Sequence, residues 1–190
     1  MSDDELINQI KRGDEKAAEE LINRYYTSIL RYCEWHCASL ETAEDLTQET
    51  FLKLFRGLAG YNEKKKFKSY LYTIANHLRI DESRKTQFQS LKEEETIVDE
   101  RNGITQIEDR EEINYLLQCL SPDQREAIIL RFGEQLSYLE MSRVMGCNMR
   151  TVQSRVRNAL KIMREIQNDC SGNMEVKLGR RTFPYNRTLF

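Results

Sequence analysis

Apolar side chains return every third or fourth position through most of this chain, and no run of any length alternates strictly between apolar and polar. That period belongs to helices that bury one face, so the expected class is all-α. Ser2 with Glu5 forms a capping box and opens a helix that ends near Gly13. Asp14 starts a longer one that runs to about Ser39, with Ala18, Leu21, Ile22, Tyr25 and Ile29 on its apolar side. Thr42 starts a third, to about Leu58, which buries Phe51, Leu54, Phe55 and Leu58 and leaves Asp45, Glu49, Leu52 and Arg56 opposite. A loop over residues 59–66, with Gly60, Tyr61 and Asn62, leads to a fourth helix over residues 67–88. In that helix Leu71, Ile74 and Leu78 point inward, Tyr70 is a candidate to join them, and Lys68, Arg79, Arg84 and Lys85 are expected as exposed cations.

The pattern fails over residues 89–110, which are acidic and polar, contain Gly103 and offer no lasting amphipathic face. It resumes over 111–120. The next helix starts strongly at Ser121, Pro122 and Gln124, because proline suits the first helical position and Ser with Gln makes a second capping box. Two small helical domains are therefore expected, residues 1–88 and 111–167, joined by a flexible acidic linker, with a tail over 168–190 that carries no assignment.

The segment LSYLEMSRVMGCNMRTVQSRVRNALKIMR, residues 136–164, has the grammar of a helix-turn-helix. Ser137 and Glu140 cap one helix, Gly146 stops it and Asn148 caps the next. Val152, Val156, Ala159, Leu160 and Met163 form one stripe; Arg150, Ser154, Arg157 and Lys161 lie opposite, flanked by Thr151, Gln153 and Arg155. In such a motif the second helix enters the major groove with its N-terminal residues at the base edges. Met149, Arg150, Gln153, Ser154 and Arg157 are placed to read bases, Arg155 and Lys161 to hold phosphate. An ordinary helical hairpin with a solvated basic face has the same pattern.

A net charge of −2 over 190 residues argues against a binder that relies on bulk positive charge. The charge is instead zoned: cations at Lys64–Lys68 and again from Arg150 to Arg164, with acids between. No apolar run is long enough to span a bilayer, and the acidic N-terminus is unlike a secretory signal, so a cytoplasmic protein without membrane insertion is expected. Five cysteines without regular spacing do not make a disulfide framework. Cys33, His36 and Cys37 share one helical face and offer three ligands to a metal or a redox centre, but Tyr32, Trp35 and Leu40 beside them favour a packed helix. No Gly-rich phosphate loop, paired-carboxylate constellation or open metal site completes an enzyme, and no cofactor is expected.

Four segments in order, AEDLTQETFLKLF (43–55), FKSYLYTIANHLRIDESRK (67–85), LSPDQREAIILRF (120–132) and the helix-turn-helix, resemble the extracytoplasmic-function sigma factors of the sigma-70 family. The resemblance covers about residues 7–165 and implies a non-enzymatic initiation factor that binds core RNA polymerase and directs it to promoters. By that resemblance Asp45, Gln48, Glu49, Leu52 and Arg56 would meet the polymerase clamp. The loop over 59–66 would receive a flipped base of the melted −10 element, with Tyr61, Asn62, Lys64, Lys65, Lys66, Lys68 and Tyr70 around it, and Asn76, His77, Arg79, Asp81 and Arg84 would follow the strand. Tyr70 stands where the family commonly has Trp, and His77 where it commonly has Asn. The helix-turn-helix would read the −35 element, the linker would cross the polymerase, and an anti-sigma factor is an expected partner. A stand-alone helix-turn-helix regulator is the other reading of the C-terminal segment.

Overall fold

The computed structural model describes residues 1–37, 39–61, 66–90 and 108–172, with side chains described for 1–37, 39–61, 66–85 and 113–168. Among the described residues every regular element is helical. Helix α1 (Asp3–Ile10) carries the Ser2–Glu5 capping box. Gly13, at φ +90°, turns the chain into α2 (Glu15–Glu34), which Asp14 caps by accepting from the backbone N–H groups of Lys16 and Ala17. α2 ends at Glu34, short of the expected Ser39, because Ser39 serves instead as the N-cap of α3 (Leu40–Gly57), accepting from Thr42 N. The third helix thus starts before Thr42, and it ends in a 3-10 turn, Leu58–Gly60. α4 (Phe67–Ser90) completes the first domain.

The second domain comprises α5 (Glu108–Gln118), α6 (Pro122–Ile128), α7 (Tyr138–Val144) and α8 (Met149–Gly172). The Ser121–Gln124 and Ser137–Glu140 capping boxes both form. α8 continues through Gly172, beyond the expected start of the tail at residue 168. Between α6 and α7 the chain makes a π-helical turn, Ile129–Gly133, and Gln135 adopts the left-handed region at φ 55°, uncommon for a residue with a Cβ.

α1 packs on α2, α2 on α3 and α3 on α4, while α6 and α7 both pack on α8. Leu21, Ile29, Leu54 and Leu71 are fully buried in the first domain, as are Leu130, Leu136, Met141 and Val152 in the second. Each side chain of this kind contributes about 1.5–3 kcal/mol relative to exposure. α4 also packs along α7, so one continuous apolar cluster runs through both domains.

Candidate promoter and polymerase surfaces

The helix-turn-helix is built locally. Gly146 at φ +61° closes α7, and Asn148 Oδ1 accepts from Thr151 N at 2.8 Å, which starts α8. Val152, Val156 and Ala159 anchor α8 to the core. That fixes the opposite face outward: Met149, Arg150, Ser154, Arg157 and Lys161 are exposed, with Thr151 and Gln153 half-buried beside them. Arg155 behaves differently. Its guanidinium turns back to α6, 2.5 Å from Asp123 Oδ2, with a second nitrogen donating to Cys147 Sγ at 3.4 Å.

On α3 the apolar side consists of Ala43, Leu46, Phe51 and Leu54, all buried. Thr47 and Thr50 are buried with that side, their hydroxyls donating to the carbonyls of Ala43 and Leu46 at 2.7 Å. The polar side is left outward by this packing. Asp45, Gln48 and Arg56 are exposed, Glu49 is half-buried, and Leu52 is 51% exposed among them.

The start of α4 lines a cleft of about 620 Å³ bounded by Gly57, Gly60, Tyr61, Lys66, Ser69, Tyr70, Thr73 and Arg143. Tyr61 and Tyr70 lie face to face, ring centroids 4.8 Å apart, and Phe67 meets Tyr61 edge-on. Gly57 gives the Tyr70 hydroxyl its room, because a Cβ there would come 2.8 Å from that oxygen. Tyr61 itself is buried, and its carbonyl accepts from Lys11 Nζ. Asn62, Lys64 and Lys65 lie outside the described residues.

Further along α4, His77 and Arg84 are exposed, and Asp81 is 3.9 Å from Arg84. Other cations expected at the surface are half-buried. Lys68 Nζ donates to Glu134 O at 2.7 Å, and Arg79 donates to Asn76 Oδ1 at 2.6 Å while standing 3.5 Å from Glu126 Oε2. Asn76 is buried, its amide donating to Val144 O at 3.0 Å. The reason is the second domain, which covers this side of α4.

Sequence reasoning missed the two carboxylates responsible. Glu126 and Glu134 are buried, 5% and 4% exposed. Tyr32 donates to Glu126 Oε1 at 2.7 Å, and His36 Nε2 is 2.9 Å from Oε2, too oblique for a hydrogen bond. Burial alone would raise the Glu126 carboxyl, but His36, Arg79 and Tyr32 outweigh it and hold it below its ordinary value. Burial pushes His36 down against the pull of Glu126, favouring neutral imidazole. Tyr72 donates to Glu134 Oε2, and Arg31 Nε stands 3.5 Å from Oε1. An acid next to the apolar run Ala127–Leu130 is the available sequence signal for Glu126; Glu134 has none that is local.

The Cys33–His36–Cys37 face belongs to this packing. Burial pushes the Cys33 thiol up to about 11 and Cys37 to about 12, so both stay protonated. Among the described residues no group of three His, Cys, Asp or Glu side chains is placed to hold a metal.

A helical domain with an exposed amphipathic docking face, joined to a helix-turn-helix domain, defines a two-part transcription factor. The sigma-70 region 2 family model matches residues 21–89 and the sigma-70 region 4 model matches 110–163. The RNA polymerase sigma factor YlaC of Bacillus subtilis is 31% identical over 153 residues, 74% of this chain and 86% of its own. The RNA polymerase sigma-H factor of Pseudomonas aeruginosa is 29% identical over 169 residues, 81% and 88% of the two chains. Among solved structures, the sigma factor RpoE in complex with the anti-sigma factor NepR from Bartonella quintana superposes with a TM-score of 0.71 at 23% identity, covering 79% of this chain and 96% of that one. CnrH in complex with the cytosolic domain of CnrY gives 0.66 at 17% identity, covering 86% and 96%. The chain belongs to the sigma-70 family as an extracytoplasmic-function sigma factor, and is not a stand-alone regulator. No described helix is long and apolar enough to cross a membrane.

Proposed function

We propose a division of labour for this sigma factor. Residues 1–88 bind core RNA polymerase and the −10 element, and residues 111–167 read the −35 element. The observation that carries the reading is the outward face of α8, where Met149, Arg150, Ser154 and Arg157 project from a rigidly capped N-terminus. Asp45, Gln48, Glu49, Leu52 and Arg56 meet the polymerase clamp, an assignment supported by an exposed Leu52 among charged neighbours. The cleft beside Tyr61 and Tyr70 takes an unstacked base, with Asn62, Lys64, Lys65 and Lys66 near the backbone and His77, Arg79 and Arg84 along the strand. Asn76 and Lys68 join them once uncovered. Gln153, Thr151, Arg155 and Lys161 complete the −35 contacts.

The protein acts in the cytoplasm, holds no cofactor and catalyses no reaction itself; the polymerase does the chemistry. A likeness to sigma factors solved with anti-sigma partners supports such a partner here. Run-off transcription with purified core polymerase tests the whole reading. New discrete transcripts should depend on this chain and vanish with Asp45→Ala/Glu49→Ala while the helical signal is kept. Unchanged polymerase affinity in that variant would remove the α3 assignment.

A further inference from the structure

We propose that the unbound chain is held closed by Glu126 and Glu134, two carboxylates of the second domain that latch onto α2 and α4 and cover the surface meant for the −10 strand. This rests on the promoter reading above and adds its regulation.

Both acids are buried, yet their partners come from the other domain: Tyr32, His36 and Arg79 around Glu126, Tyr72, Lys68 and Arg31 around Glu134. A buried carboxylate is costly unless paired, so neither acid is stable in place without the first domain beside it. Once the domains part, each regains water, which makes the contact reversible in a way that a wholly apolar one is not. The chain also shapes itself to present Glu134. The π-helical turn Ile129–Gly133 and Gln135 at φ 55° bracket it, and Glu134 N donates to Ile129 O at 3.0 Å.

The covered groups are those of promoter binding. Arg79 and Asn76 are engaged with each other and with Glu126 and Val144, leaving no open edge for a base or phosphate. The same domain reaches the cleft at Tyr61 and Tyr70, where Arg143 of α7 forms one wall. Carboxylates here satisfy the cations that a nucleic-acid backbone would otherwise satisfy. Polymerase, by holding the two domains apart, exposes the −10 surface only in the complex that uses it.

The test compares the full-length chain with Glu126→Gln/Glu134→Gln, without polymerase or DNA, by small-angle X-ray scattering. The native chain should be compact and the variant should have a larger radius of gyration at unchanged helicity. Tyr32→Phe/Tyr72→Phe, which keeps both rings in the core and removes only the hydroxyls, should open partially. Equal radii for all three would overturn the latch. A fluorescein-labelled single strand bearing the −10 sequence should bind the opened variant about tenfold more tightly, since affinity scales with the competent fraction. Opening with no gain in affinity would show that the latch does not cover the −10 surface. Scattering needs no promoter, so its outcome stands apart from run-off transcription, whose failure would count against the sigma reading alone.

Discussion

The two DNA-facing surfaces of this protein are built in opposite ways. The α8 face is made by one short segment: Asn148 starts it, Val152, Val156 and Ala159 anchor it, and Arg150 and Arg157 are left outside. The α4 face depends on the other domain, because Asn76 and Arg79 point into a contact with Glu126 and Val144. A surface that completes itself is open as soon as it folds; one that borrows partners from a distant segment can be covered and uncovered.

The heaviest loss should come from removing the borrowed partner. Glu126→Ala leaves Tyr32, His36 and Arg79 without their acid, and should lower stability by about 3–5 kcal/mol in urea unfolding. A loss below about 1 kcal/mol, the range of exposed pairs, would mean that the contact is not formed in solution. On the other surface, Arg150→Ala or Arg157→Ala should weaken promoter use by about 1–3 kcal/mol if the residue makes a bidentate base contact, with stability unchanged. Equal weakening on every promoter sequence would identify phosphate contacts instead. Asn148→Ala should cost about 1 kcal/mol by removing the cap of α8 and should reduce −35 binding without opening the domains. Scattering that showed opening in this variant would contradict the independence of the two surfaces.

A change of pH should act most weakly. His36 and Glu126 both sit below their ordinary values of 6.5 and 4.5. A lowered value means stability that is full above the ordinary value and lost as pH falls. Acidification should therefore loosen the interface first below 6.5, as His36 takes a proton beside Arg79, Arg125 and Glu126, and again as Glu126 is protonated. Native-state scattering across that range checks it, and a radius of gyration constant down to the carboxyl range would exclude the His36 contribution.

Most of the fold is legible in the sequence because its signals are local. The capping boxes at Ser2, Ser121 and Ser137 and the cap at Asn148 all form where their spacing puts them. The α2–α3 boundary is misread from sequence because Ser39 and Thr42 are both good caps, and their hydroxyls lie 2.8 Å apart; the backbone bond goes from Thr42 N to Ser39. The site is legible where one helix makes it. Lys68 and Arg79 are expected outside because helical period shows only which face they share with other cations. Nothing local shows that Glu134, 66 residues after Lys68, returns to that face.

If the two surfaces do separate work in one complex, losing one must leave the other's contacts intact. Permanganate footprinting of holoenzyme, on a promoter found by run-off, is the decisive measurement, comparing the native chain with Arg79→Ala and Arg157→Ala. Arg79→Ala should abolish reactivity of unpaired thymines at the −10 element while protection of the −35 element persists, and Arg157→Ala should lose −35 protection first. Normal melting with Arg79→Ala, or loss of both signals together in either variant, would contradict this division of labour.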